Sequence, residues 1–406
     1  MRISESARHL PFLMVVLLVG CDARSAAWTP CLPGGGVAVP GAVAEVDSAG
    51  VSIIVTPCEL TEQVLGWQVE ASPDLEIGQD EETGVHFAQI DGVAADANGR
   101  ILVIERRPPE LRRFSGAGDP GTVLGSAGDG PGEFRGAVLV PTGSRDSVVL
   151  YDASNSRLTA WPAGGERHSS VRQVRWHPYR PLGLSGERVL LQYHLLRLDD
   201  AGMHWENPHL ILSDLELSDP RVIQELEIEP DFSVVDDLGR RVSTPVPFTT
   251  GPSAALGPTG PLVTHGRAFE ILQFDSTGAL SRILRIPRRR TPVTRELLAA
   301  YDELLRTAGR VSPWERYGTA LPVADSVAAF SSLIVDDLGW IWARFQEWDF
   351  TRLPSWFVFD PEGRGHGRIE LPAGLNVHAI GDTFVLGVWR DSLGVQSVRR
   401  HALRRE

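Results

Sequence analysis

GSAGDGPGEF, residues 125–134, sets four glycines and a proline ahead of an acid and an aromatic. Such a stretch is either a phosphate-cradling loop or a connector between repeated units, and the two readings lead to different folds. A Walker-type loop requires Lys followed by Ser or Thr at the head of a helix. Here Glu133-Phe134 lead instead into the strand-like run AVLV at 137–140. A dinucleotide loop needs an amphipathic helix next, and none follows. The glycines and Pro131 therefore read as a tight turn with positions that need positive φ.

Self-similarity supports the connector. A shift of 47 residues places Ile77-Gly78 on Leu124-Gly125, Phe87 on Phe134, Val93 on Val140, Ile101 on Val148, Glu105 on Asp152, Leu111 on Leu158 and Phe114 on Trp161. GDGPGEF is then the second copy of a connector whose first copy is QDEETGVHF, residues 79–87. Within each unit the pattern is all strand. GRILVIE (99–105) and DSVVLYD (146–152) are short apolar runs entered by turn residues, and each precedes a second strand ending in an aromatic and a turn. That ending recurs at Phe114–Gly118, Trp161–Gly165, Phe274–Gly278 and Phe359–Gly363, while the turn Asp96-Ala-Asn-Gly99 recurs as Asp336-Asp-Leu-Gly339. Units of this size with three or four strands each are propeller blades. The residues from Ile77 onward, less an insertion at about 287–322, divide into six units, with seven as the alternative.

The predicted fold is thus all-β, a six-bladed β-propeller with one inserted helix. The last unit stops one strand short, and an open ring exposes unpaired edges. An N-terminal strand, either Val51–Thr56 or Trp67–Ile77, is expected to close it. Inner strands are predicted within 87–95, 137–143, 254–258, 327–335 and 375–380. Phe87, Phe134 and Phe330 are expected in similar connector or inner-strand positions. The inserted helix begins at Pro292 and Thr294 and ends at Gly309, with Leu297, Leu298, Tyr301, Leu304, Leu305 and Ala308 on one face. It either packs across a blade connection or caps a mouth of the channel.

Of 406 residues, 22% are charged and 42% apolar, which suits a soluble globular domain, and a net charge of -13 argues against a nucleic-acid surface. Arg2 and Arg8 precede an apolar run from Leu10 to Gly20 that is too short to span a bilayer as a permanent helix. The run ends in Leu18-Val19-Gly20-Cys21, which resembles the lipobox of bacterial lipoproteins. The resemblance implies a signal peptide over 1–20, thioether-linked diacylglycerol on Cys21, and a bilayer as partner. The location it implies is the extracytoplasmic side of the cell envelope, in either membrane. Residues 21–49, rich in Gly, Ala and Pro, read as a flexible tether, and 50–406 as a single propeller domain. Cys31 and Cys58 form either a disulfide or two separate thiols.

The lipobox, the repeated core, GDGPGEF and the aromatic-x-x-x-Gly turns together resemble NHL-type six-bladed β-propellers, in particular extracytoplasmic lipoproteins of that build. The resemblance covers about residues 50–406 and is weakest over 166–255. It implies a fold, and little about activity. Related rings that are enzymes hold a divalent cation or histidines at the axis. The predicted inner strands offer Asp91, Asn376 and His378 there, fewer polar groups than a metal requires. Calcium or zinc is the only cofactor this leaves open. No Gly-x-Ser-x-Gly elbow appears, and Thr264-His265-Gly266 lacks a nucleophile partner. Eleven tryptophans, with Trp314, Trp340, Trp342, Trp348 and Trp356 close in sequence, either fill wedges between blades or form stacking platforms. Two functions follow: a binding scaffold for a peptide, glycan or envelope protein, or a hydrolase or lyase with an axial metal.

Overall fold

The chain opens with a hairpin, β1 (Ala44–Ser48) and β2 (Val51–Val55), followed by a 3-10 turn at Cys58–Thr61 and two short strands, β3 (Gln68–Val69) and β4 (Leu75–Ile77). Six antiparallel sheets then follow in order. Blade 1 comprises β5 (Ile90–Ala95), β6 (Ile101–Arg106), β7 (Pro109–Phe114) and β8 (Pro120–Ser126). Blade 2 comprises β9 (Ala137–Val140), β10 (Ser147–Asp152), β11 (Arg157–Pro162) and β12 (Ser170–Gln173). Blade 3 begins with β13 (Arg180–Ser185) and β14 (Arg188–Tyr193) and, after the hairpin β15 (Leu196–Asp199) and β16 (Gly202–Trp205), resumes with β17 (His209–Asp214) and β18 (Arg221–Glu225). A second hairpin, β19 (Phe232–Val235) and β20 (Arg241–Thr244), leads to blade 4, built of β21 (Ser253–Gly257), β22 (Gly260–Thr264), β23 (Glu270–Phe274) and β24 (Leu280–Arg285). The insertion carries α1 (Arg295–Thr307) and α2 (Pro313–Tyr317). Blade 5 is β25 (Phe330–Val335), β26 (Ile341–Phe345), β27 (Ser355–Phe359) and β28 (Gly365–Glu370), and blade 6 is β29 (Leu375–Ile380), β30 (Phe384–Arg390) and β31 (Gln396–Arg404). This computed structural model describes residues 43–405 except 79–83, 143–144, 169, 176–178, 194–195, 200–201, 206, 228–231, 236–240, 245, 308, 318–320 and 347–352.

Each inner strand lies beside that of the next blade, and β29 lies beside β5, so the ring is closed with six blades. The physical basis is visible in β6. Ile101 and Val103 face a core shared with blade 6, while Leu102 and Ile104 face a core shared with blade 2. A central blade strand is covered on both sides, and so its sequence is continuously apolar rather than alternating. One such wedge core fills each of the six junctions. Trp342 and Trp356 are fully buried in the wedge between blades 5 and 6, and Trp340 packs edge-on to Trp67 at its margin. These three tryptophans are wedge filler, Trp314 packs beside Tyr301 of the insertion, and Trp348 lies outside the described residues.

The repeated turns are chemical locks. Asp96 Oδ1 accepts the amides of Asn98 (2.9 Å) and Arg100 (3.0 Å), and Asp336 Oδ1 accepts those of Leu338 and Trp340 (both 2.9 Å). Gly99 and Gly339 complete these turns at φ 73 and 83. The second carboxylate oxygen reaches further. Asp96 Oδ2 accepts the Gly164 amide of blade 2 at 2.9 Å, and Asp336 Oδ2 accepts Trp342 Nε1 (2.8 Å) and Arg405 Nη2 (2.7 Å). The turn motif that marks the repeat thus also fastens blades to their neighbours.

The 47-residue register holds for Phe87 and Phe134, which lie in connectors against Gly78 and Gly125 and are buried in adjacent wedges. Phe330 differs. It opens β25 as Ile90 opens β5, because the Asp96 and Asp336 turns set the register of these two blades. The remaining inner strand, β13, lies outside the five stretches that the sequence marks as inner strands.

Closure uses the second of the two candidate segments. β4 pairs antiparallel with β31, Ile77 opposite Val398, and β3 extends the same edge. Val51–Val55 instead lies parallel to β24 on the outer edge of blade 4. β1 takes in residues that composition assigns to the tether, because Ala49-Gly50, at φ 54 and 83, is a hairpin turn rather than slack chain. In the insertion, Thr294 Oγ1 accepts the Leu297 amide, and Val293 and Val327 bond to Asp325 and Thr291 to form a neck. Only Leu305 of α1 is fully buried, and Leu304 is exposed rather than on the packed face. Tyr301 meets Phe248 at 5.1 Å, so the helix packs on the connector into blade 4.

Replacing Asp336 with Ala removes the oxygen that accepts both turn amides and leaves the buried Arg405 guanidinium without its carboxylate. We expect a loss of about 3 kcal/mol or more in urea unfolding. A change under about 1 kcal/mol would show that the turn does not fasten the ring.

Candidate functional site

In four of the six inner strands the ladder to the second strand slips by one residue, leaving Asp91, Leu182, Ser331 and His378 as extra residues. Such bulges re-aim a side chain out of the regular alternation. Asp91, Ser331 and Asn376 each stand second in their strand, at the end of the ring where the chain enters the inner strands. Small residues let these strands approach one another. A Cβ on Gly92 would lie 3.0 Å from Leu139, and one on Gly183 only 2.6 Å from Leu256.

Asp91 and His378 do not form a common ligand set. Asp91 is paired with Arg106 Nε at 2.7 Å, and Asn376 Nδ2 lies 3.1 Å from His378 Nε2. Burial pushes the His378 pKa below its ordinary value and favours the neutral imidazole. Among the described residues no three His, Cys, Asp or Glu come together in an arrangement that could hold a metal ion. With its one carboxylate already neutralised, the trio does not fit a divalent cation.

Between blades 4 and 5 the structure has a cavity of about 370 Å³. Its wall comes from three connections distant in sequence: Phe248 to Thr250 before blade 4, His265 to Arg267 between β22 and β23, and Pro322 to Ala328 at the neck of the insertion. These walls are stitched together, since Ala328 donates to the Phe248 carbonyl (3.1 Å) and Ala329 to that of Gly266 (2.7 Å). Burial pushes the His265 pKa down, with the nearby Glu227 and Arg267 acting in opposite directions. Glu227 and Arg267 form an ion pair at the cavity edge. The site therefore offers an uncharged imidazole, a paired guanidinium, Arg290 and Asp325, and an apolar wall from Val246, Phe248 and Val323.

The glycine-rich loop at 125–134 is filled from within. Gly130 donates to Glu133 Oε2 at 2.7 Å, and Arg157 donates to the carbonyls of Asp129 (2.9 Å) and Glu133 (2.6 Å). The loop's own carboxylate occupies the space a phosphate would need. Cys58 is buried and disulfide-bonded. Its partner lies outside the described residues, as do Cys21 and Cys31.

Sequence reading points to Asp91, Asn376 and His378, and sets His265 aside because it lacks a nucleophile partner. It did not find the cavity, because three separate stretches build it, nor Ser331, because a register slip leaves no mark in a sequence.

No protein-family model and no curated protein matches this chain. Solved structures that it resembles include a Bacteroides fragilis protein described as exported (13% identity, 87% of this chain and 99% of that one, TM-score 0.46). A gluconolactonase from Xanthomonas campestris is also similar (13% identity, 92% and 100% coverage, TM-score 0.41), as is virginiamycin B lyase from Staphylococcus aureus (11% identity, 83% and 99%, TM-score 0.37). Likenesses this distant do not carry function over.

His265, His378 and the buried His401 are all held below the ordinary histidine value by burial. The folded state then binds fewer protons than the unfolded one, so these groups cost stability as pH falls below about 6.5. Urea midpoints at pH 7.5 and 5.5 should differ in that direction, and His→Gln at each position should shrink the difference. An unchanged difference in all three variants would contradict the assignment.

Proposed function

We propose that this protein is a lipid-anchored extracytoplasmic binding scaffold of the NHL-type propeller build, with the cavity between blades 4 and 5 as its recognition site. Acylated Cys21 tethers it to the bilayer, and Cys31 is the partner of Cys58. The observation that carries the reading is the cavity itself. Its volume lies in the range of small-ligand pockets, its walls are hydrogen-bonded to one another, and its lining mixes apolar and polar groups. Such a lining suits a peptide segment or a sugar, the chemistry of an envelope partner. The lining hydroxyls of Thr249 and Thr250 donate to the carbonyls of Val246 and Gly251 rather than to His265, which supports binding as the activity.

Two measurements test this. Cys21→Ala should move the protein from the membrane to the soluble fraction, and retention on the membrane would remove the anchor. A photo-crosslinking residue at Thr250 or Val323 should capture a partner in cells, while the same probe at Glu45, exposed on β1, should not. Equal capture at all three positions, or none, would remove the cavity as the recognition site.

A further inference from the structure

We infer that the wall between blades 5 and 6 carries an oxyanion-binding site, in which Arg344 and Ser331 are the donors and a carboxylate, phosphate or sulfate is the ligand. It is separate from the cavity between blades 4 and 5 and does not depend on that reading.

The argument starts from register. Phe330 pairs with Phe345 and Ser332 with Arg344, which leaves Ser331 as the extra residue, so two serines oppose one arginine. Ile341, Ala343 and Phe345 face the core between blades 4 and 5, whereas Trp342 and Trp356, the latter opposite Arg344 on β27, face the core between blades 5 and 6. Strand alternation therefore sends Arg344 towards blade 6, with Leu375 and Val377 of β29 in the same wedge. The bulge turns Ser331 towards the same place.

The two groups stand differently there. Ser331 Oγ is buried with no hydrogen-bond partner. Arg344 is half-buried, and burial depresses its pKa. Among the described residues its guanidinium has no acceptor. Elsewhere in the propeller, buried arginines meet acceptors: Arg113 donates to the Gly165 carbonyl, Arg157 to those of Asp129 and Glu133, and Arg405 to Asp336. A buried donor left unpaired is costly, and a desolvated guanidinium beside a hydroxyl in an apolar wedge is a strong oxyanion receptor. Because Arg344 keeps partial exposure, an anion can reach it from solvent.

The test is calorimetric titration of the full mature chain with sodium sulfate, sodium phosphate and sodium glucuronate at constant ionic strength, with chloride as control, alongside melting curves. Saturable binding of at least one oxyanion is expected. Arg344→Met should weaken it about tenfold or more, and Ser331→Ala by a smaller factor. Without oxyanion, Arg344→Met should melt at or above the wild-type temperature, since an apolar side chain removes a half-buried charge that has no carboxylate partner among the described residues. Preference for glucuronate would identify a carboxylate ligand, and preference for sulfate or phosphate a tetrahedral one. Binding unchanged in both variants would overturn the site, as would an equal response to chloride. A lower melting temperature for ligand-free Arg344→Met would do so too, because the guanidinium would then already have a partner. Should that variant fail to fold, Ser331→Ala decides alone.

Discussion

The antiparallel pairing of Ile77 with Val398 is the constraint on which the rest of this propeller depends. Blade 6 receives only three strands from the end of the chain, and without β4 its outer edge would present unpaired backbone groups. The pairing does more than cover an edge. Leu75 and Ile77 fill the wedge between blades 6 and 1, and Glu76 takes Ser397 Oγ and Arg399 Nε, each at 2.8 Å. Gln396, at the start of the same β31, accepts the Ile90 amide at 2.8 Å. Ring closure thereby sets the first residue of the blade 1 inner strand, and Asp91 follows from it.

The N-terminal segment acts as a belt before it closes the ring. β2 runs parallel to β24 on blade 4, Val64 bridges in parallel to Arg368 on blade 5, and β3 and β4 cover blade 6. Arg405 ties the two chain ends together, stacked 4.6 Å from Trp67 while bonded to Asp336. Among the described residues, blades 1, 2 and 3 end in β8, β12 and β18 with no further strand beyond them. The belted half holds both the cavity at the junction of blades 4 and 5 and the Arg344 wall at the junction of blades 5 and 6. A site needs its walls fixed, and the belt helps to fix them by packing Leu65, Trp67 and Val69 into the wedge between blades 5 and 6.

What the sequence revealed follows from what repeats. Asp96 and Asp336, with their glycines three residues on, mark turns whose chemistry is local, so a single chain shows them directly. The inner strands of five blades were legible for the same reason. Blade 3 was not, because the hairpin β15–β16 separates β14 from β17 and breaks the spacing. The parallel pairing of Val51–Val55 was equally hidden, since a strand's composition does not say which edge it will join. The cavity depends on three connectors that meet only after blades 3, 4 and 5 have docked. Of the candidate site residues, Asp91, Asn376 and His378 were found as polar groups on inner strands, but their partners could not be: Arg106 pairs with Asp91 across a slipped ladder.

The bulges show where a repeat architecture becomes specific. Asp91, Ser331 and His378 occupy the same kind of irregularity in three adjoining blades, yet each residue meets a different fate. Asp91 is neutralised by Arg106, and His378 is kept uncharged by burial with Asn376 at its ring nitrogen. Ser331 has no partner and stands opposite an arginine that has none among the described residues. If the bulge served only to fit the inner strands around the axis, an apolar residue would suffice, as Leu182 illustrates in blade 3. A buried hydroxyl and a desolvated guanidinium on facing strands are worse for folding than alanine and leucine would be. Their presence makes sense in terms of a ligand that the folded ring receives, not in terms of the ring itself.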